Sequence, residues 1–488
     1  MPCAGVLFQL WNKDALLSVG VLAERAMDGR LYLMQDMSST IVKDCLVIGG
    51  GSSGFAAALA AQRGGAAVLL ADRHGYLGGM GTAAGLSCYL NHHYKKHDLS
   101  GAIYREFVRV QDACGLHYYD PISQGDFFEP ETCKRTMETL FVEAGGQCLY
   151  HVLLTAVERT DGAWCVTFIH KGGMTKVRCR YLIDTSGDGD ACALAGAKMT
   201  HGRNSDGKTQ PMSMVVQLGG FDPAAWGEAG LPLIQGKYAV AGDQFTDEIA
   251  LARKAGEWSI PRNEIAMTWA MPGDPTRVTI NGTRINGLSA CNVFETTRAE
   301  IEGRRQAFEL ASFFARYVPG FSRSYLLQTG PQIGVRESRR IVGRDMLQDE
   351  DVRLGSIPES SVTLCCYPID VHNPEGSDTQ FELVEGGGSA YGIAWECLQP
   401  AGLDNLVAAG RCISATHEAA GSFRVMPTCM TLGEAAGTAV ALANRDQVDV
   451  STVQGKDIRE QMEQALLKMG EPGLASLYER SVSLDTLR

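Results

Sequence analysis

The chain has 488 residues, of which 45% are hydrophobic and 20% are charged, and its formal net charge is −12 at pH 7. This length and this hydrophobic content are sufficient for a large buried core and for two or three domains. Because an acidic protein repels phosphate backbones and acidic membrane surfaces, we expect no nucleic-acid partner.

The 15 cysteines show no C-x-x-C spacing, and only Cys365 and Cys366 are adjacent. This spacing supplies no ligand set for zinc or for an iron–sulfur cluster. Reduced and mostly buried thiols in a cytosolic protein fit the pattern.

The first 40 residues contain an early apolar stretch, GVLFQLWNKDALLSVGVLA, which Lys13 and Asp14 interrupt and which no basic leader precedes. No other apolar run is long enough to span a bilayer. We therefore expect a soluble, cytoplasmic protein without a membrane span. Residues 1–40 are assigned to an N-terminal extension of unknown role, with Met37 as an alternative start.

A strand, a glycine turn and a helix follow one another between residues 44 and 64. DCLVIGG (44–50) is typical of a short buried strand, and SSGFAAALAAQRG (52–64) of a helix that packs closely on a sheet. Gly49, Gly51 and Gly54 place a G-x-G-x-x-G pattern at the turn. These glycines allow a tight turn, the approach of a pyrophosphate and close helix-to-strand contact, and the helix N-terminus offers free N–H groups to phosphates.

A second strand, AAVLLAD (66–72), ends in Asp72. A carboxylate about 20 residues after the glycine turn accepts hydrogen bonds from ribose hydroxyls in dinucleotide-binding proteins. The order of strand, turn, helix, strand and acid therefore predicts dinucleotide binding rather than a plain loop.

Three further segments carry a resemblance to a known family. RHGYLGGMGTAAG (73–85) has five glycines directly after the acid, YLIDTSGDGDACALAG (181–196) combines a strand with a glycine turn, and 405–443 ends in a small-residue helix. With the first glycine turn, these segments resemble the FAD-dependent oxidoreductases of the glutathione-reductase-like superfamily, the flavoproteins with two dinucleotide-binding domains. The resemblance runs from about residue 44 to about residue 445.

The resemblance implies FAD as the cofactor. The residues that it and the glycine pattern indicate for binding FAD are Gly49, Gly51, Ser53, Gly54, Asp72, Arg73, Gly78, Gly79, Met80, Thr82, Gly187, Asp188, Gly410, Arg411, Pro427, Thr428 and Cys429. Pro427 is favourable early in a helix, and a helix N-terminus aimed at the flavin would stabilise negative charge on the reduced ring.

Three histidines, His92, His93 and His97, follow the first flavin segment. Their surroundings lack a carboxylate of convincing spacing, and Lys95 and Lys96 would oppose a cation. We therefore predict no metal site and expect a loop that lines the substrate entrance.

The FAD-binding sequence comes in separated pieces. A helix is predicted at 130–146, and the β-rich stretch after it turns at Asp161-Gly162 and Gly172-Gly173 before it rejoins the parallel sheet at 180–184. We predict an α/β fold with a Rossmann-like FAD-binding domain, made of a parallel sheet and a β-meander, from residues 41–202 and 400–445.

The remaining sequence is assigned to two further parts. A mixed α+β substrate or cap domain is predicted at 203–399, with an amphipathic helix at 297–318. The C-terminal helical segment, 446–488, has an amphipathic stretch at 458–470 that suits packing or self-association into a homo-oligomer equally well. No second strand-linked G-x-G-x-x-G is found, so we expect no dedicated NAD(P) domain.

His417 lies just before the predicted flavin helix. Since a flavin supplies its own hydride and electron chemistry, the protein has to orient the substrate and move protons. A histidine here can accept a substrate proton as hydride leaves, and a purely structural role is equally open. Arg424 can neutralise a carboxylate substrate or the reduced flavin, or pair with Glu418.

Two motifs between residues 334 and 374 supply the other catalytic candidates. GVRESRRIVG (334–343) places Arg336 among charges dense enough for either a substrate site or a buried ion-pair network. In CYPIDVHNP (366–374), Asp370 and His372 share one face of an extended segment and can accept a proton or bind sugar hydroxyls. Tyr367 is expected too far along the strand to share their pocket. The predicted catalytic residues are thus His417, His372, Arg336 and Asp370.

One departure from the resembling family bears on the substrate. Where the family usually carries Ile-Pro-Tyr-Arg, this chain has Ile393, Ala394, Trp395 and Glu396. If this position faces the substrate, an anion replaces a cation, which favours a cationic substrate or a neutral polyol over a carboxylate.

These observations predict an FAD-dependent dehydrogenase or oxidase that transfers hydride from a small polar metabolite, such as an alcohol, amine or sugar, to the flavin. Oxygen, a quinone or a protein carrier would be the external electron acceptor. Two alternatives stay open: a flavin monooxygenase or halogenase, whose reduced flavin must meet oxygen, and a binding protein that uses FAD as a structural element.

Overall fold

The computed structural model of the chain describes residues 40–478 except residues 91, 122, 232, 235–237, 240–244, 266 and 385–389, and gives only the backbone of 233–234 and 238–239. The N-terminal extension expected at residues 1–40 lies outside the described residues except for its last residue. The predicted C-terminal segment is described as far as residue 478.

The helices of the described residues range from 4 to 25 residues in length. In chain order they are α1 (Ser52–Arg63), α2 (Ala102–Ala113), α3 (Pro130–Glu143), α4 (Asp190–Leu194), α5 (Pro223–Glu228), α6 (Thr246–Lys254), α7 (Val293–Tyr317), α8 (Asp349–Leu354), α9 (His417–Phe423), α10 (Met426–Asp446), α11 (Gly455–Lys468) and α12 (Ala475–Tyr478). Short 3₁₀ turns lie at Gly79–Gly81, Trp395–Leu398 and Val450–Thr452.

The strands are mostly short. In chain order they are β1 (Ile41–Ile48), β2 (Val68–Ala71), β3 (Cys88–Tyr89), β4 (His93–Tyr94), β5 (His97–Asp98), β6 (His117–Asp120), β7 (Gly125–Phe128), β8 (Gln147–Leu149), β9 (Leu153–Thr160), β10 (Ala163–His170), β11 (Gly173–Asp184), β12 (Met199–His201), β13 (Val216–Gly219), β14 (Leu233–Ile234), β15 (Tyr238–Ala239), β16 (Thr268–Met271), β17 (Asp274–Ile280), β18 (Tyr325–Thr329), β19 (Arg339–Ile341), β20 (Ser361–Cys365), β21 (Ile369–His372), β22 (Thr379–Glu382), β23 (Tyr391–Ala394) and β24 (Leu406–Ala408).

The largest sheet has the strand order β8-β2-β1-β11-β10-β9, and β24 pairs with the far end of β11. Strands β8, β2, β1, β11 and β24 run parallel, whereas β10 and β9 continue the sheet antiparallel. The second half of β1, Cys45 to Ile48, is fully apolar and buried, as expected for a parallel strand covered on both faces. The predicted α/β fold with a parallel sheet and a β-meander is confirmed.

Strand β11 joins the meander to the parallel sheet. Its first half pairs with β10 and its second half pairs with β1, so the chain rejoins the parallel sheet where the sequence predicted. Asp161 and Gly162, at the turn between β9 and β10, both have positive φ angles, of 49° and 75°. This backbone conformation favours Asp-Gly in a two-residue hairpin turn.

A second, antiparallel sheet with the order β16-β17-β13-β18 is formed by residues between 216 and 329. Helix α7 contributes Leu310, Phe313 and Phe314 to the hydrophobic core beside this sheet. The N-cap of α7 is Asn292, whose side chain accepts hydrogen bonds from the backbone N–H groups of Phe294 and Glu295. The helix begins four residues before the predicted position, and the proposed domain boundaries stay a prediction.

Helices α1 and α10 pack with their backbones in close contact. A Cβ atom at Gly433 would lie 2.0 Å from the carbonyl oxygen of Ser53, and one at Gly437 would lie 2.2 Å from that of Ala57. Glycine is therefore required at both positions of α10. This packing brings the start of α10 close to the glycine turn between β1 and α1.

The described cysteines are all free thiols, and nine of these 14 are buried, in agreement with the sequence interpretation. Within the described ranges, no helix is both long enough and apolar enough to cross a bilayer.

Candidate functional site

The glycine turn between β1 and α1 shows why each glycine is needed. Gly49 has a φ of +100°, a region that side chains other than glycine rarely adopt. A Cβ atom at Gly54 would lie 1.7 Å from the carbonyl oxygen of Gly49, so α1 could not pack on the turn. At Gly51, in contrast, the nearest atom to a Cβ is the Cα of Gly79 at 3.7 Å. This position has space that the fold itself does not need.

The start of α1 offers donors to a ligand. Its N-cap, Gly51, provides no side-chain cap for the first N–H groups of the helix. The hydroxyl of Ser53 is buried and has no hydrogen-bond partner among the described residues. Free backbone N–H groups, a buried hydroxyl and an open glycine position fit the pyrophosphate of a dinucleotide.

Asp72, directly after β2, fixes the turn as well as ending the strand. Its Oδ2 atom accepts a hydrogen bond from the backbone N–H of Gly50 at 2.5 Å. Its Oδ1 atom accepts one from the backbone N–H of His74 at 2.6 Å and lies 2.9 Å from Nδ1 of the same residue. The neighbouring Arg73 donates to the side-chain oxygen of Gln332. The carboxylate therefore also shapes the turn, a role that the sequence did not reveal.

The loop 78–82 connects the glycine turn with α10. The N–H of Gly78 donates to the carbonyl of Gly50 at 2.8 Å, and the hydroxyl of Thr82 donates to the carbonyl of Leu77 at 2.8 Å. A Cβ atom at Gly81 would lie 3.6 Å from the sulfur of Met426 in α10. The predicted FAD segments around residues 50, 80 and 426 are thus in contact.

Asp188 and Arg411 are paired with each other. Nη2 of Arg411 lies 2.6 Å from Oδ1 of Asp188, which also accepts a hydrogen bond from the hydroxyl of Ser338 at 2.6 Å. Burial raises the pKa of Asp188, but the charge of Arg411 and the Ser338 hydrogen bond outweigh it, so the pKa is lowered. A Cβ atom at Gly187 would lie 3.0 Å from the guanidinium carbon of Arg411. This second predicted FAD segment is held together by an ion pair.

The first turn of α10 contains Pro427, Thr428 and Cys429, and no side chain caps it. Thr428 donates to the sulfur of Cys365, and the thiol of Cys429 donates to the carbonyl of Phe423. Burial raises the pKa of the Cys429 thiol to about 12, so it stays protonated near neutral pH. Gly410 approaches α1 as well, because a Cβ there would lie 3.2 Å from Cβ of Ser53.

A cavity of about 140 Å³ lies where these segments meet the mixed α+β region. The residues that line it include Met80, Ser213, Met267, Asn281, Arg336, Tyr367, Asp370, His372, Arg411, Arg424, Val425 and Met426. Three of the four predicted catalytic residues line the cavity: Arg336, Asp370 and His372.

Asp370 and His372 share one face of β21, as predicted. Nε2 of His372 lies 3.6 Å from Oδ1 of Asp370, and its Nδ1 lies 3.0 Å from the hydroxyl of Thr379. The hydroxyl of Tyr367 donates to Oδ2 of Asp370 at 3.4 Å, so the expectation that Tyr367 lies outside this pocket is wrong. Residues 366–368 precede the strand as an irregular segment, and this lets the phenol reach the carboxylate.

Arg336 and Arg424 add positive charge to the cavity. Nη1 of Arg336 donates to the carbonyl of Pro211 at 2.8 Å and to the hydroxyl of Ser213 at 2.6 Å. Nη2 of Arg424 donates to the side-chain oxygen of Gln210 and lies 3.8 Å from Oδ2 of Asp370. Burial and the charge of Arg424 lower the pKa of Arg336.

His417, the fourth predicted catalytic residue, does not line the cavity. It is the first residue of α9 and is buried, with Nδ1 at 2.9 Å from Oε1 of Glu337. Glu337 also forms a buried ion pair with Arg340, and its Oε2 accepts from the backbone N–H of Gln210 at 2.9 Å. Glu337 and Arg340, which follow Arg336 in the same motif, therefore form an ion-pair network that includes His417.

His92, His93 and Asp98 come together in and beside the β4–β5 hairpin. One ligand atom from each lies within 4.8 Å of the others, a carboxylate arrangement that the sequence pattern did not indicate. Asp98 also accepts hydrogen bonds from Ser100 and pairs with Arg105 at 3.3 Å. Since these contacts already compensate the carboxylate, we make no metal assignment.

The position of Glu396 removes the basis for a cationic substrate. Glu396 lies in the 3₁₀ turn after β23 and is not among the residues that line the cavity, while the adjacent Trp395 is fully buried. The departure from the family pattern at this position therefore does not bring an anion to the cavity.

Most of the sequence matches a known protein family. The sequence model of a family described as FAD dependent oxidoreductase matches residues 44–462. A comparison with curated proteins gives no match.

Solved structures resemble the chain over most of its length. A geranylgeranyl bacteriochlorophyll reductase-like protein from Thermoplasma acidophilum is 14% identical, over 87% of this chain and 84% of that chain, with a TM-score of 0.44. The anhydrotetracycline hydroxylase OxyS from Streptomyces rimosus is 12% identical over 83% of this chain but only 63% of its own, less than two thirds, with a TM-score of 0.39. The flavin-dependent brominase Bmp2 is 13% identical over 87% and 83%, with a TM-score of 0.42.

Proposed function

The chain belongs to the FAD dependent oxidoreductase family, and from this premise we propose that it is a flavin-dependent oxygenase of the monooxygenase or halogenase type. It is an enzyme and its cofactor is FAD, as the sequence predicted. The narrower assignment to the glutathione-reductase-like superfamily stays a prediction.

Several of the segments proposed to hold FAD contact one another. The start of α1 with Ser53 would receive the pyrophosphate, and Asp72 would lie beside the ribose. The uncapped first turn of α10 would face the flavin ring from the end that carries Pro427. When bound, FAD supplies the electron transfer that protein side chains cannot provide.

The position of His417 is the main observation that favours oxygen insertion over base-assisted hydride transfer. Hydride transfer assisted by a base needs a proton acceptor at the reacting carbon with a pKa near the working pH. His417 is bonded to Glu337 and does not line the cavity. Burial and nearby arginine charges lower the pKa of His372 well below its ordinary value, which makes this imidazole a weak acceptor.

Tyr367 and Asp370 also line the cavity, and both are already engaged in contacts there. Burial and the charge of Asp370 raise the pKa of Tyr367, so its phenol keeps its proton. The Asp370 carboxylate is engaged by Tyr367, His372 and Arg424. Oxygen insertion does not require a side-chain base that acts while hydride leaves the substrate, because the proton released from the C–H group can pass to water. In its balanced form, a substrate C–H group, O₂, NAD(P)H and one proton give C–OH, water and NAD(P)⁺.

A second candidate is the hydride transfer that the sequence predicted. One observation favours it: His372 faces the cavity with Asp370 beside it at 3.6 Å. In this reaction His372 would accept the substrate proton, and Asp370 would stabilise the resulting imidazolium.

Reduction of the flavin separates the two reactions. The FAD-loaded protein is mixed without oxygen with a panel of alcohols, amines, sugars, hydroxy acids and aromatic acids, and the flavin absorbance is followed. We expect no bleaching by the panel without NAD(P)H. With NADH or NADPH and air, we expect O₂ uptake that depends on one class of substrate, and a hydroxylated product, or a halogenated one when bromide is added.

The result that contradicts oxygenation is rapid anaerobic bleaching by a member of the panel. His372→Gln then distinguishes the second candidate, because it should slow that bleaching while FAD stays bound. His417→Gln is the matched control, since its imidazole does not line the cavity.

A further inference from the structure

Arg336 and Arg424 line the cavity together with His372, and Arg262 and Arg284 lie close enough for their charges to act on its imidazole. After burial, the charges of Arg336, Arg262, Arg424 and Arg284 are the largest causes that lower the pKa of this imidazole. The same carboxylate, Asp370, acts on Arg262, Arg284 and Arg336. Three carboxylates, Asp370, Glu264 and Asp378, act on these four arginines, so with a neutral His372 the cluster keeps a small excess of positive charge.

Arg262 is a buried member of the cluster. Its residue is 7% exposed, and its buried Nε atom has no hydrogen-bond partner among the described residues. Burial, and next the charge of Arg284, lower its pKa to about 10. A buried cation with an unsatisfied donor is costly, so a site that keeps one gains from a bound anion.

Two further buried donors in the same region have no acceptor among the described residues. They are Nε of Arg424 and the side-chain nitrogen of Gln210, which is fully buried. The side-chain oxygen of Gln210 accepts from Nη2 of Arg424 at 3.1 Å and from the backbone N–H of His372 at 3.4 Å. These contacts fix the orientation of the amide, and its nitrogen is left as a donor. A ligand that pairs with these unsatisfied N–H donors must offer hydrogen-bond acceptors.

Arg284 and Arg336 play different parts in the cluster. Arg284 donates to the backbone carbonyls of Asn373, Ser377 and Asp378 and so holds the hairpin β21–β22 that carries His372. It is a positioning residue. Arg336 lines the cavity, and with the described residues it hydrogen-bonds only through Nη1, to two neutral oxygens. Its remaining nitrogens match the forked geometry with which arginine binds carboxylates and phosphates.

We propose that Arg262, Arg336 and Arg424 form a subsite for an oxyanion group, and that the substrate is a small organic anion that carries a carboxylate or a phosphate. That the bound anion is a substrate rests on the proposed function, whereas the subsite itself depends only on the arginine cluster. It replaces the expectation of a cationic or neutral polyol substrate.

Binding of small probes tests the charge of the ligand directly. The FAD-loaded protein, in a low-salt buffer without oxyanions, is titrated in a calorimeter with oxalate, with inorganic phosphate and with oxamide. Oxamide is the neutral counterpart of oxalate with nearly the same shape. We expect saturable binding of oxalate or phosphate that weakens with added salt, and no binding of oxamide. The tighter of the two anions identifies the group.

The proposal is overturned if oxamide binds as well as oxalate, or if neither anion binds. Since the titration needs neither oxygen nor NAD(P)H, it is independent of the proposed reaction. Anion binding without oxygen uptake would reject the oxygenase and keep the subsite. Oxygen uptake with an uncharged substrate, together with no anion binding, would reject the subsite and keep the oxygenase.

Arg262→Met removes the charge and keeps an apolar side chain of similar length. We expect it to weaken binding of the anion by about 10- to 100-fold, the effect of one charge-assisted hydrogen bond. Arg445→Met is the matched control, because this exposed arginine of α10 pairs with the neighbouring Asp446 at the surface. It should bind the anion like the unchanged protein.

Thermal unfolding distinguishes a binding role of Arg262 from a structural one. Without oxyanions, Arg262→Met should raise Tm because a buried charge is removed, whereas loss of a structural arginine would lower it. Addition of the anion should raise Tm of the unchanged protein and not of the variant. If Arg262→Met fails to fold, Arg336→Lys is tested in its place. This variant keeps the positive charge but loses the forked guanidinium, so it should weaken binding of the anion while FAD stays bound. Unchanged affinity in the folded variant would overturn the subsite.

Discussion

Nδ1 of His417 lies 2.9 Å from Oε1 of Glu337, and both side chains are almost completely buried. Burial raises the pKa of Glu337, but the hydrogen bond from His417 and the charge of Arg340 outweigh it, so the pKa is lowered. Arg340 in turn donates to the carbonyl of Ala415, two residues before α9. His417 thereby compensates a buried carboxylate and joins α9 to the segment around β19.

Replacement of His417 by alanine should destabilise the fold more than it slows the reaction. Because Glu337 loses a partner in a buried site, we expect the free energy of unfolding to fall by about 1–3 kcal/mol. Urea denaturation measures this change, and turnover per bound FAD measures the reaction. His372→Gln is the comparison, with little loss of stability and a clear change in turnover. A stable His417→Ala enzyme with slow turnover would instead place His417 in the reaction.

Two alanine substitutions in the glycine turn should separate folding from cofactor binding. Gly54→Ala places a methyl group against the carbonyl of Gly49, so we expect loss of the folded protein. Gly51→Ala has room for the methyl group, so we expect a folded protein that loses FAD to the approach of the new side chain. Circular dichroism reports the fold and the ratio of flavin to protein absorbance reports the cofactor. Full retention of FAD by Gly51→Ala would place the pyrophosphate elsewhere.

Asp72→Asn should weaken FAD binding without unfolding the protein. The change keeps the shape of the side chain but removes the charge that accepts from the N–H groups of Gly50 and His74. We expect Kd for FAD to rise by about 10- to 100-fold, as for the loss of charge-assisted hydrogen bonds. Fluorescence titration of the apoprotein measures it. Asp44→Asn is the control, because Asp44 accepts from the N–H of Ala67 before β2. Equal affinities of the two variants would contradict the role of Asp72.

Glu434 in α10 should make stability depend on pH. It is buried, and burial raises its pKa from the ordinary 4.5 to about 7, although the backbone N–H of Ile103 donates to it. The folded protein therefore holds a proton that the unfolded chain has lost between about pH 4.5 and pH 7. The free energy of unfolding should fall as the pH rises through this window, by about 3 kcal/mol in total, and then level off.

Glu434→Gln removes this titration and keeps an acceptor for the N–H of Ile103. The variant should exceed the unchanged protein in stability at pH 8 by more than at pH 5, as measured by urea denaturation. Glu460→Gln, an exposed position of α11, should leave the pH dependence unchanged. An equal slope with pH for Glu434→Gln and the unchanged protein would show that another group titrates.

The segments predicted to bind FAD could be recognised in the sequence because each is a local pattern. A strand, three glycines, a helix and Asp72 lie within 30 residues, and the backbone geometry of such a turn allows little variation. The role of Asp72 in fixing the turn through Gly50 is a tertiary detail, and the spacing alone does not contain it.

The arginine cluster could not be predicted in the same way. Arg262, Arg336 and Arg424 stand far apart in the chain, and tertiary packing alone brings them around Asp370. Arg262 has no motif around it, and its signal is a buried Nε atom without a partner among the described residues, which no sequence pattern encodes. Tyr367 was misplaced because the segment before β21 is irregular rather than extended.

The contact between Gly433 of α10 and Ser53 of α1 links positions roughly 380 residues apart. Contacts of such long range form slowly, because the entropy of closing the intervening loop must be overcome first. During synthesis the glycine turn and α1 would leave the ribosome long before α10, the helix that packs against them. Capture of the cofactor should therefore be among the last events in the maturation of this enzyme, and the growing chain should expose the apolar face of α1 until then.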